Sequence, residues 1–205
     1  MTWHRQPLVS LVTEPVQEPL TLAEAKVFLR VDGTSDDALI GMLITAARQW
    51  VETYTRRALI TQTWDCRFWD FPQIGQSLVI PKAPLASVTS ITYTDENSVE
   101  QTWASSNYAV QVLAGPTAGR GSIRTTPATS YPATLTDSEW PVTVRVVCGY
   151  GASQASVPSG IRSAVALLLG DLYTQRQETV VGVSSSKIQT TLEKLLGPYR
   201  LPEAH

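Results

Sequence analysis

Two histidines, His4 and His205, stand at opposite ends of a 205-residue chain. Imidazole is the side chain that most often moves protons near neutral pH, and none lies between the ends. Ser–His–Asp and Cys–His arrangements therefore lack their base. A zinc site built on several histidines lacks its ligands, and two cysteines, Cys66 and Cys148, cannot form a four-cysteine site. Both cysteines sit in strand-like apolar stretches and read as a reduced, buried pair. Asp65, Asp70, Asp95, Glu96 and Asp137 are scattered near turns, where acids commonly serve local hydrogen bonds. A pair of them working on a glycoside is the residual catalytic reading. "GPTAGRG" at Gly115 to Gly121 lacks the Gly-Lys-Ser/Thr ending of a phosphate loop. "CGYG" at Cys148 to Gly151 reads as a strand end. Four of six tryptophans, Trp64, Trp69, Trp103 and Trp140, fall in one stretch. They raise the alternative of a ligand- or carbohydrate-binding β module without catalytic activity, although strand spacing makes packing the plainer reading. No catalytic, cofactor-binding or metal residue is assigned, no cofactor is expected, and the emptiness favours a binding or structural protein.

Composition agrees with a folded, uncharged-on-balance chain. Hydrophobic residues make up 43% and charged residues 17%, so a packed core is feasible. The length allows one large domain or one domain with a sizeable insertion. A formal charge of −2 gives no basic excess to draw the protein onto nucleic acid or an anionic membrane. No apolar run approaches the roughly 20 residues that span a bilayer. "MTWHRQPLVS" has no signal-peptide core. A soluble protein made in the cytoplasm is expected.

The pattern along the chain predicts an α+β fold. Residues 1–19, with Pro7, Pro15 and Pro19, read as an irregular N-terminal arm. Residues 20–60 read as the first part of a helical core. Thr21 and Glu24 form a capping box, and Gly33 is placed to close the first helix. The second helix starts at Thr34 or Ser35 with Asp36 and Asp37 on its positive end. Its apolar positions, from Leu39 and Ile40 through Ala47, Trp50, Val51 and Tyr54, keep a helical period, while Arg48, Glu52 and Arg56 lie elsewhere. The adjacent Arg56 and Arg57 suit a helix C-terminus. Residues 61–151 read as an antiparallel β module, rich in β-branched and aromatic residues and punctuated by proline and glycine. Residues 158–178 return to helix, with Ile161, Ala164, Val165, Leu168 and Leu172 on one face. The small polar residues of 179–189 read as a flexible linker, and 190–205 as a C-terminal helix and tail. The simplest arrangement is one small helical core, two N-terminal helices plus one later helix, with the β module inserted in it.

Three stretches, taken together, resemble a known family. "LTLAEAKVFLRVDGTSDDALIGMLITAARQWVETYTRRALITQTW", from Leu20 to Trp64, is similar to the opening of the tailed-phage head–tail connector (adaptor) proteins, also found in phage-like gene transfer particles. "VPSGIRSAVALLLGDLYTQRQ" resembles that family's third helix and "LLGPYRL" its C-terminal signature. The proline-flanked "IPKAPLASVTSITYTDENSVEQTW" also fits, whereas Arg56 stands where many members have glycine.

The resemblance implies a virion structural protein rather than an enzyme. Such proteins form a ring, usually a dodecamer, beneath the portal protein of the capsid. The ring joins the portal to the stopper or tail-completion protein at the neck, the head–tail junction, and DNA passes through its lumen without sequence-specific binding. No membrane is involved. The resemblance further implies that the C-terminal helix docks on the portal, with Leu192, Leu195 and Leu196 entering a groove and Tyr199 and Arg200 as anchors. The other destination for those leucines is the protein's own helical core.

Overall fold

A computed structural model describes residues 6–73, 75–175 and 185–202. His4, His205 and residues 179–184 of the expected linker lie outside them. The fold is α+β, with four helices and two antiparallel sheets among the described residues. The residues divide into two compact units: 1–14, 61–149 and 202–205 form one, and 15–60 with 150–201 form the other. No helix among the described residues is long and apolar enough to cross a membrane.

The helical unit begins with α1, Leu22–Leu29. Its start is the expected capping box: the Thr21 hydroxyl accepts from the Glu24 N–H at 3.1 Å, and the Glu24 carboxylate accepts from the Thr21 N–H at 2.8 Å. The stop differs from expectation. Arg30, not Gly33, takes the left-handed conformation that ends the helix, and Gly33 (φ 84°) serves the following turn. The turn is pinned by Lys26, whose ammonium donates to the Gly33 carbonyl and to Asp37.

The second helix, α2, runs Asp37–Thr55, with Asp36 rather than Thr34 or Ser35 at its cap. Asp36 is held instead by the Tyr173 hydroxyl, which donates to it. Ile40, Ile44, Ala47 and Val51 are buried along one side of α2. Arg56 closes the helix in a left-handed conformation (φ 60°), one that glycine adopts freely, which accounts for the glycine otherwise expected there. The third helix, α3, covers Ser159–Gln175, and α4 covers Ser185–Leu196. Residues 185–189, assigned above to the linker, are therefore helical. Their small polar character hid a helix whose apolar positions start later. Buried residues from α1, α2, α3 and α4 make one core, with Ala25, Ile44, Val51, Ile161, Val165, Leu169, Leu192 and Leu196 among them. Arg162 ties α3 to the start of α1 through the Pro19 carbonyl and Glu24.

Two charges sit inside this core. Arg48 and Glu52, one turn apart, are both buried and bonded at 2.8 Å. Arg48 also donates to Glu18 at 2.7 Å, and Glu52 accepts the Leu59 N–H at 2.8 Å. Glu18 and Glu52 together hold the Arg48 guanidinium charged against the cost of its burial.

The β unit contains a five-stranded sheet in the order β1-β2-β8-β4-β5 and a three-stranded sheet, β3-β7-β6. The strands are β1 Leu8–Thr13, β2 Gln62–Phe68, β3 Leu78–Val79, β4 Leu85–Thr94, β5 Glu100–Thr102, β6 Tyr108–Gln111, β7 Ser122–Thr125 and β8 Val142–Cys148. One strand was not expected. Leu8–Thr13 is not irregular: its "LVSLVT" run forms the edge strand β1 on β2. The prolines at 7 and 15 bracket that strand rather than interrupt it. Cys66 and Cys148 are free thiols, both buried. Desolvation pushes both thiols up to about 12, so neither is a thiolate nucleophile at neutral pH.

The buried pair supplies a stability prediction. Glu52→Ala leaves Arg48 short of a partner and the Leu59 N–H without its acceptor. It should cost about 3–5 kcal/mol, or roughly 6–20 °C in melting temperature for a domain of this size. Glu52→Gln, which can still accept from Leu59, should cost less. Thermal denaturation of the two variants against wild type checks the order.

Candidate functional site

The residues singled out near the C-terminus lie on α4 and on the short turn that follows it, Gly197–Tyr199. Leu192 is 3% exposed and Leu196 is fully buried. Both belong to the core of their own unit, with Leu195 and Tyr199 packed partly against it. In this arrangement the leucines have found their own helices, so any portal groove would have to take them from that core. Gly197 and Pro198 end α4, because proline supplies no N–H to continue the ladder.

The segment after α4 closes on the end of α2. The Arg57 side chain is 1% exposed, and its Nε donates to the Tyr199 carbonyl at 2.5 Å. The Leu201 N–H donates to the Thr55 carbonyl at 3.1 Å. The Tyr199 ring lies over Gly160, where an added Cβ would come within 3.0 Å of its hydroxyl. Gly160 thus leaves the room that Tyr199 fills. Beside them Tyr150 is held above its usual pKa, first by burial, against the opposing pull of Arg57.

Arg200 has a different setting. It is exposed, and its guanidinium lies 5.1 Å from the centre of the Tyr54 ring. Tyr54 stacks on Trp50 with ring centres 5.3 Å apart and planes 6° from parallel. Sequence reasoning placed Trp50 and Tyr54 in the apolar series of α2 and missed this Trp50–Tyr54–Arg200 stack, in which Trp50 and Arg200 are exposed and Tyr54 is half-buried. The i, i+4 spacing of two aromatics was the available signal. It also treated Arg57 as a terminal charge, whereas the side chain is a buried clamp on the C-terminal segment.

Three of the five acids weighed for catalysis, Asp65, Asp70 and Asp95, are occupied locally. Asp65 accepts two bonds from Arg145, at 2.8 and 2.9 Å, and this pairing holds its carboxyl below the usual range. Asp95 accepts from the Asn97 and Val99 N–H groups and from Gln101, closing its own turn, and is likewise lowered, chiefly by the Val99 bond. Asp70 accepts from the Phe71 N–H and the Thr134 hydroxyl. Among the described residues, no three His, Cys, Asp or Glu side chains group as a metal site. The tryptophans contribute to packing: Phe71, Trp103 and Tyr131 pack on one another at 5.2–5.4 Å, with Tyr108 against Trp103 at 5.2 Å. The Tyr131 hydroxyl lies within donating distance of two carbonyls, those of Gln76 at 3.1 Å and Ile123 at 3.2 Å. Lys82 covers the Trp64 ring at 4.1 Å.

The docked position of α4 can be tested by substitution. Leu196→Ala should cost about 2–5 kcal/mol, as for other buried leucines. Arg200→Ala should cost under about 1 kcal/mol, since an exposed cation–π contact is worth no more. Urea denaturation of both variants should give that order; equal, small costs would mean that α4 is not seated in this core in solution.

Both the sequence and the fold have counterparts among known proteins. Residues 19–114 match the family described as phage gp6-like head-tail connector protein. No curated protein sequence matches the chain. Among solved structures, a chain from the neck of an empty gene transfer agent (GTA) particle, computed with C6 symmetry, superposes with a TM-score of 0.77 at 22% identity, covering 97% of both chains. A chain from the virion of a native gene transfer agent particle gives 0.74 at 23% identity, again over 97% of both. A third, from the neck of a native GTA particle computed with C12 symmetry, gives 0.73 at 22% identity with the same coverage. Residues 19–114 are thus similar to the phage gp6-like head-tail connector family, and nearly the whole chain shares its fold with chains of gene transfer agent particles.

Proposed function

We propose that this chain is the head–tail adaptor of a tailed phage or phage-like particle. Copies form a ring, taken as a dodecamer, at the neck of the virion, between the portal protein and the stopper or tail-completion protein. DNA passes through the lumen without sequence-specific contacts. The observation that carries the reading is the connector-family match of residues 19–114 within a fold shared end to end with neck chains. The charge supports it: at −2 overall, the chain has no excess of cations to hold a passing phosphate backbone.

The portal contact is assigned to the C-terminal helix. Leu192 and Leu196 hold α4 on its own unit, so their entry into a portal groove requires exchange of one apolar burial for another. Leu195 and Tyr199, partly buried, and the exposed Arg200 are reachable without that exchange. Arg200 joined to Tyr54 and Trp50 offers the residue types that dominate binding energy at protein interfaces.

Removal of the gene tests the role. Producing cells lacking this chain should yield DNA-filled heads and separate tails, and joined particles should return when the chain is supplied in trans. Electron microscopy of lysates reads the outcome. Heads and tails that join normally without the chain would contradict the adaptor role.

A further inference from the structure

The Trp50–Tyr54–Arg200 stack ends in a charge that its own unit does not neutralise. Ion pairs in this unit join Arg48 to Glu18 and Glu52, Arg162 to Glu24, and Lys26 to Asp37. Among the described residues, the Arg200 side chain meets the Tyr54 ring and no carboxylate. Attraction to a ring face acts on the guanidinium's charge and leaves its N–H donors to find acceptors. Arg200 is exposed, so in the single chain solvent supplies them. The main chain around it is fixed. The Arg200 N–H donates to the Leu196 carbonyl at 3.1 Å, the Leu201 N–H donates to the Thr55 carbonyl, and the Arg57 Nε holds the Tyr199 carbonyl. Tyr54 is in turn stacked on Trp50. The cation therefore projects from a pinned segment onto a rigid aromatic shelf, and little freedom remains to be lost when a partner meets it.

This arrangement sets a condition on whatever covers it. A protein contact that excludes water from Trp50 also takes water from the Arg200 N–H groups, and a guanidinium dried without an anion is strongly destabilising. The chain's own charges at this end of α2 do not help. Arg56 and Arg57, which follow the helix, have the same sign, and Glu52, the last acid of α2, is buried and bonded to Arg48. The anion has to come from the partner. A nucleic-acid backbone is held along a row of cations, and the exposed positions of α2 that lead to Trp50, namely Met42, Ala46 and Gln49, carry none. A carboxylate, by contrast, takes a single guanidinium in a two-bond fork. We propose that the partner surface seated on Trp50 and Tyr54 carries an aspartate or glutamate that pairs with Arg200. The inference rests on the portal contact proposed above and names the chemistry of the portal's side of it: an acidic residue set beside apolar surface.

Zero-length crosslinking reads that chemistry directly. A carbodiimide joins a lysine amine to a carboxylate already in contact with it, so the full-length chain is carried into particles as Arg200→Lys, which keeps the positive charge. Purified particles are treated with the carbodiimide and the products are mapped by peptide mass spectrometry. The expected product joins position 200 to an aspartate or glutamate of the portal protein. The same adduct to another neck protein would support the acidic partner and overturn the portal assignment. An adduct to a carboxylate of this chain, in the same or another copy, would overturn the inference and leave the adaptor role intact, as would no adduct at position 200 in particles that contain the variant. Absence of the wild-type chain from purified particles would overturn both. Head–tail joining, counted by electron microscopy, supplies a second arm. Arg200→Met keeps a stem for the Tyr54 ring without the charge, and Arg200→Glu reverses the charge. Both should lower joined particles roughly tenfold or more, whereas Arg200→Lys should stay within about threefold of wild type. Melting temperatures should stay near wild type, because the side chain is exposed in the single chain. Joining unaffected by Arg200→Met, or lost as fully with Arg200→Lys as with Arg200→Glu, would overturn the inference.

Discussion

A guanidinium and a carboxylate can stay charged inside a core only if each keeps its partner, and the Arg48–Glu52 pair imposes that condition on the helical unit. Glu52 meets it by reaching past its own helix to the Leu59 N–H, which fixes the path of the chain as it leaves α2. Arg48 meets it by gripping Glu18, which fixes the approach to α1. The left-handed turn at Arg56 then sets Arg57 inward, where it holds the Tyr199 carbonyl. The C-terminal segment, with Leu192 and Leu196 beneath it, is thus fastened to the same end of α2 that the ion pair organises. The polar network and the apolar core are interdependent: the pair is dry because leucines cover the unit, and the leucines have a seat because the pair sets the end of α2.

The same choice shapes the exterior. A helix with its charges buried has an outer face without them. On α2 that face is long and uncharged, and it carries a tryptophan stacked on Tyr54. The β unit is rich in aromatic residues. Its aromatic rings pack on one another, and the acids Asp65, Asp70 and Asp95 are spent on an arginine and on local turns.

Much of this was legible in the residues. The capping box at Thr21, the period of α2 and the aromatic, β-branched strands are local signals, and the structure reproduces them because local chemistry decides them. What escaped depended on distant partners. The strand at Leu8–Thr13 looked irregular because, as an edge strand with several apolar side chains exposed, it lacks clean alternation. Arg48 and Glu52 read only as lying off the apolar series of α2, because nothing nearby in the chain shows that Glu18 and the Leu59 N–H will meet them. The spacing of Leu192 and Leu196 said that they would be buried, but a stripe cannot say whose core it will join. In the Trp50–Tyr54–Arg200 stack the i, i+4 aromatic pair was readable, but the arrival of Arg200 across a long stretch of sequence was not.

The central claim, that this fold sits as an adaptor at the head–tail junction, is tested most directly by a cryo-electron microscopy reconstruction of the neck of particles from producing cells. The account expects a closed ring of this chain's two-unit fold between the portal and the tail, with side-chain density that fits Trp50, Tyr54 and Arg200. A neck at the same resolution whose ring is traced to a different sequence, with no density for this chain, would contradict it.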